Sequence, residues 1–88
     1  MRFWVKIIKD AHLFREMTIE DNSGERRTMK VLRALESACH DFDLGVPFWL
    51  KQNITDFQRH ARVRFTQDSF IEQIDFDCLE LQVIEEDE

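Results

Sequence analysis

Hydrophobic and polar positions along this chain alternate with two periods. Between Met29 and Phe42 the apolar residues are Val31, Leu32, Leu35, Ala38, Cys39 and Phe42. At about 100° per residue they share a stripe roughly 120° wide, with Lys30, Arg33, Glu36, Ser37, His40 and Asp41 opposite. This predicts one amphipathic helix, starting between Gly24 and Thr28. Gly45 is expected to take a left-handed conformation at its end, and Pro47 forbids continuation.

Most of the remaining pattern has period two. Phe3, Val5 and Ile7 alternate with Arg2, Trp4, Lys6 and Ile8. Leu13, Met17 and Ile19 oppose Phe14, Glu16, Thr18 and Glu20. The polar break Lys9–His12 between them predicts an antiparallel hairpin with a four-residue loop. Phe3, Val5, Ile7, Leu13, Met17 and Ile19 form the face that the helix should cover. Asp21–Gly24 reads as a loop. Val46–Leu50 reads as a short buried strand. Residues 53–60 read as one or two helical turns, with Thr55 and Gln58 at capping-box spacing. Arg62–Phe65 is a strand with Val63 and Phe65 inward. Asp68–Ile74 is a short helix, and Cys78–Ile84 is a strand with Leu79, Leu81 and Val83 inward.

The reading is a single α+β domain over residues 1–88, with a frayed acidic tail at 85–88. One main helix packs on one face of a mixed sheet of four to five strands, the first and last of which pair in parallel. Eight Phe and two Trp supply core volume in a chain of only 88 residues.

That order of elements, with Met1, Phe3 and Val5 inward from the first residue and Leu79–Val83 as a closing central strand, resembles the β-grasp architecture of ubiquitin. The chain is also similar to small uncharacterised Firmicutes proteins. The likeness implies a fold and no chemistry. The ending Glu85-Glu86-Asp87-Glu88 is not the Gly-Gly tail of a conjugated modifier. Two cysteines cannot supply the four thiolates of a β-grasp ferredoxin.

Charge is unevenly distributed. All twelve Lys and Arg lie in residues 1–67 with nine acids, while residues 68–88 carry nine acids and no base. This suits either a solubilising edge or an end that steers a basic partner. Lys6 and Lys9 interrupt the opening apolar run too early for a signal peptide or membrane helix, and two Cys fit reduced thiols in the cytoplasm. The Asn53-Ile54-Thr55 sequon is then a chance match.

His12, His40, His60, Cys39 and Cys78 show no ligand spacing, so no metal and no cofactor are expected. No phosphate loop or nucleophile elbow is present, so no catalytic residue is assigned and the chain is expected not to be an enzyme. Two surfaces remain. A single helix leaves one sheet face open, and Trp4, Phe14 and Trp49 beside Lys6, Arg62 and Arg64 would make a protein-interaction face or a homodimer contact. Alternatively, Arg59, His60, Arg62 and Arg64 form an anion or nucleic-acid patch. The net charge of −6 opposes nucleic acid, and cross-strand pairing with Glu16, Glu20 or Glu80 would occupy the arginines.

Overall fold

The computed structural model of the chain describes residues 1–87. Strands β1 (Arg2–Lys9) and β2 (His12–Glu20) form the opening hairpin. Its loop is two residues rather than four: Asp10 and Ala11 both take positive φ, 53° and 64°. Such a turn matches the right-handed twist of the strands it joins. The Asp77 carboxylate accepts hydrogen bonds from both turn amides, at 3.2 Å from Asp10 N and 2.8 Å from Ala11 N. The register shifts between Ile7 and Ile8, so that Ile7 faces Arg15 while Ile8 faces Leu13. The bulge turns Leu13 away from the core face where strict alternation placed it, and Leu13 is exposed.

Helix α1 (Arg27–Asp41) follows. Its buried residues are Lys30, Val31, Ala34, Leu35, Ala38 and Cys39. The buried stripe is therefore rotated towards Lys30, and Leu32 is exposed. Lys30 tolerates burial because its ammonium lies 2.7 Å from Asp87 Oδ2 and 3.4 Å from the Asp21 carbonyl. The helix ends with the Leu44 amide on the Cys39 carbonyl at 2.8 Å and the Asp43 amide on the His40 carbonyl at 3.2 Å. This is a Schellman closure with Asp43, not Gly45, in the left-handed position (φ 58°).

Residues 44–50 form no strand, where one was expected over Val46–Leu50, because in that stretch only the Phe48 amide bonds a neighbouring backbone among the described residues, the Ser69 carbonyl at 2.7 Å. Helix α2 (Lys51–His60) is longer than the sequence pattern suggested and starts earlier. Its entry is fixed by Asn53, whose Oδ1 accepts from Leu50 N at 2.9 Å, while Thr55 donates to the Lys51 carbonyl instead of capping. Strand β3 (Arg62–Phe65) leads to a single 3-10 turn at Gln67–Ser69, where a longer helix was expected, and the chain closes in β4 (Cys78–Glu85).

The sheet has four strands in the order β2-β1-β4-β3. Every neighbouring pair is antiparallel, including β1 with β4, where a parallel pair was expected. Phe3, Val5, Leu79, Leu81, Val63 and Phe65 form its buried side. Leu35 from α1 and Phe57 from α2 belong to the same core, so both helices cover this one face. Asn53 also donates to the Arg64 carbonyl at 3.2 Å and accepts from the Ser69 hydroxyl at 3.1 Å, tying α2 to the backbone of edge strand β3.

The acidic end, where fraying was expected, makes contacts with the body of the fold. Glu85 closes β4, Glu86 takes the Arg27 guanidinium through bonds of 3.0 and 2.9 Å, and Asp87 bridges Lys30 and the Met1 amino nitrogen, 2.8 Å away. Glu88 lies outside the described residues. No helix among the described residues is long and apolar enough to cross a membrane.

Candidate interaction surface

The uncovered side of the sheet follows from strand register. Cross-strand partners share a face, so β2, β1, β4 and β3 present Glu16, Lys6, Glu80 and Arg64 as one row. The next row is Thr18, Trp4, Gln82 and Arg62. A third row joins Leu13, Ile8 and Cys78. The first row alternates in sign across all four strands.

Glu80 is the centre of that row. It is 2% exposed although it lies on the uncovered face. Lys6 and Arg64 shield it from either side: the Lys6 ammonium contacts Glu80 Oε2, and Arg64 Nε donates to Oε1 at 2.8 Å. Burial alone pushes the Glu80 carboxyl up, but the hydrogen bonds from Lys6 and Arg64 outweigh it and hold the group below the usual glutamate range. The same pair holds the Arg64 guanidinium above its ordinary value. The Lys6 ammonium also stacks over Trp4, 3.7 Å from the ring centroid, and Trp4 Nε1 donates to Glu16 Oε1 at 3.1 Å. Trp4 is thus held in a fixed orientation by both neighbours, which limits the entropy lost on contact with a partner.

Of the residues expected on this face, Trp4, Lys6, Arg62 and Arg64 are there together. Phe14 is exposed beside the bulge, its ring 5.1 Å from Lys9 Nζ and away from the Trp4 row. Trp49 is on the other side of the sheet. It is packed edge-on against Phe57 at 5.6 Å and Phe65 at 4.9 Å, because the 44–50 segment crosses the helical layer and not the open face. Its indole Nε1 is buried with no acceptor among the described residues.

The basic stretch divides. Arg59 and His60 occupy the last turn of α2, where a helix C-terminus favours cations. A cleft of about 350 Å³ is lined by Asp56, His60, Arg62, Val63 and Arg64. Asp56 puts a negative charge in it, and Arg64 is committed to Glu80. Arg62 has no carboxylate within salt-bridge distance among the described residues.

Sequence reasoning named Glu80 as a cross-strand partner for the arginines, and Arg64 pairs with it, but missed its burial at the centre of the face. Its outward position in an alternating strand was legible, but its burial depends on two long side chains from different strands. Among the described residues, no three His, Cys, Asp or Glu side chains converge as metal ligands. Both cysteines are free and buried; burial pushes the Cys39 thiol up to about 11 and raises Cys78 as well. Comparison with protein-family models, curated proteins and solved structures finds no match to this chain.

Proposed function

We propose that this chain is a small, cytoplasmic, non-catalytic protein-interaction module that meets its partner, another protein or a second copy of itself, through the open sheet face around Trp4. The observation that carries this reading is the placement of both helices on one side of the sheet, which leaves a pre-ordered Trp4 between charged neighbours on the other. An aromatic anchor with a polar surround is the composition of interface hot spots. The likeness to β-grasp proteins rests on the order of elements along most of the chain. The antiparallel β1–β4 pair departs from the parallel pairing expected with that likeness, so the reading rests on the face and not on fold analogy.

The second reading is anion or nucleic-acid binding through Arg59, His60, Arg62 and Arg64. Arg62 favours it; Asp56 in the cleft and the Arg64–Glu80 pair oppose it.

Light scattering on wild type and Trp4→Ser, at low and high salt, tests self-association. A dimer that persists in salt and dissociates in the variant supports the Trp4 contact. For a heterologous partner, the melting temperature of Trp4→Ser decides whether the face is free of structural duty: a fall beyond about 8 °C, the scale of roughly 1–2 kcal/mol in a domain this size, contradicts the reading. Affinity for an oligonucleotide that collapses with salt would instead favour the second.

A further inference from the structure

The most exposed large apolar side chain, Ile71, lies away from Trp4, near two others. Ile71 is 89% exposed, Phe48 55% and Val46 52%. The segments carrying them are joined: the Phe48 amide bonds the Ser69 carbonyl at 2.7 Å, and Gly45 N bonds Glu72 Oε1 at 2.7 Å. Val46, Phe70, Ile71 and Glu72 line one shallow cleft of about 250 Å³. Val46 and Phe48 point outward on either side of buried Pro47, as alternate residues of an extended chain do.

The patch is braced. Gln67 donates to the Glu72 carbonyl and accepts from the Ile74 amide, both at 2.8 Å, and so ties the loop across its base. Pro47 fixes φ in the facing segment. Three large apolar side chains are therefore displayed on a preformed support, which costs stability in water and lowers the ordering entropy of binding.

Charge selects the occupant. Residues 41–50 and 66–77 contain Asp41, Asp43, Asp68, Glu72, Asp75 and Asp77 and no Lys or Arg. Asp77 is turned to the hairpin and Asp75 lies 3.7 Å from Lys9. Asp41, Asp43, Asp68 and Glu72 remain on the segments that carry the patch. Of the bases at the edges of these segments, Arg33 and His40 line the neighbouring cleft with Val46, Arg33 being shared between Asp21 at 3.7 Å and Glu25 at 3.8 Å, and Lys51 opens α2, so the segments stay net negative. Such a rim repels nucleic acid, an anionic bilayer and an identical patch on a second copy.

We infer that Val46, Phe48 and Ile71 dock a basic amphipathic segment of another protein, its apolar side chains on this patch and its Lys or Arg over the acidic rim. The chain then has two contact faces. This site stands independently of the Trp4 face.

The probe is a short amphipathic helical peptide of Leu and Lys, titrated into the isotopically labelled full chain and followed by amide chemical shifts. The expected result is saturable shifts concentrated at residues 45–50 and 69–72, and no binding of the same pattern built from Leu and Glu. The double variant Phe48→Ser/Ile71→Ser should bind the Leu/Lys peptide at least about tenfold more weakly, the scale of a lost hot spot. Both residues are exposed, and an unchanged amide spectrum elsewhere reports an intact fold. Absence of binding, shifts confined to the Trp4 face, or unchanged affinity in the double variant would each overturn the inference; the last would show attraction by charge alone.

Discussion

Replacing Glu80 with Gln tests whether the open face is organised by its buried carboxylate. The amide keeps the size of the side chain and removes its charge. Glu80 accepts from Lys6 through one oxygen and from Arg64 through the other. Gln offers one acceptor and turns an NH₂ group towards the second cation. The Lys6 side chain is only 14% exposed, so its ammonium is left partly desolvated without its counter-charge; the Arg64 side chain is 64% exposed and finds water. A hydrogen bond to a charged group is worth about 1.5–3 kcal/mol when shielded, and an exposed ion pair below about 1 kcal/mol. The expected loss is therefore about 2–3 kcal/mol at neutral pH, or roughly 10–20 °C in melting temperature for a domain of this size. Denaturant unfolding of both proteins across acidic pH supplies the sharper test. The folded Glu80 carboxyl lies below its unfolded value. Its contribution is thus complete above the ordinary glutamate value of about 4.3 and is lost as pH falls through the depressed folded value. The gap between wild type and Glu80→Gln should narrow over that range, because a protonated Glu80 resembles Gln. Asp21, Glu86 and Asp87 also titrate low but are common to both proteins. A gap that does not change with pH, or no gap at neutral pH, would falsify the role given to this carboxylate.

Three further outcomes follow from particular positions. Ala11→Gly should stabilise the protein by about 0.5–1 kcal/mol, because relief of left-handed strain at φ 64° exceeds the added unfolded-state entropy; a lower denaturation midpoint would refute the turn geometry. Leu35→Ala should cost about 2–5 kcal/mol through a cavity under α1, since Leu35 is fully buried, and a loss below about 1 kcal/mol would mean that the helix packs loosely. Cys39, buried and with its thiol pushed up to about 11, should resist a thiol reagent at about pH 8 in the native protein and react once denaturant is added. Rapid stoichiometric labelling of Cys39 without denaturant contradicts its burial.

The alternation of Phe3, Val5 and Ile7 and of Leu79 and Leu81, and the helical stripe through Val31, Leu35, Ala38 and Cys39, determined the α+β class and most of the core. These are local periodicities, and an apolar face buries itself in almost any arrangement that offers it a partner. The opening hairpin, the last strand and the presence of Trp4, Lys6, Arg62 and Arg64 on one face were legible for the same reason.

What stayed hidden depends on contacts between distant residues. Strand direction was one: β1 and β4 carry the same alternation whether they run parallel or antiparallel, and only the path of the chain between them decides it. The left-handed positions at Ala11 and Asp43 were a second. Asp77 supports the first from across the fold, and the Schellman bonds close the second, so side-chain preference for Gly was overridden. Lys30 and Asp87, far apart in sequence, form an ion pair at the edge of the core, which is why a lysine lies on the buried stripe. Trp49 and Glu80 complete the contrast. Composition marks Trp49 as a contact residue and Glu80 as solvated, yet the crossing of the 44–50 segment packs the first, half-buried, against Phe65, and register places the second between two cations. Periodicity in one dimension fixes which residues seek burial, and only the three-dimensional path fixes what each one meets there.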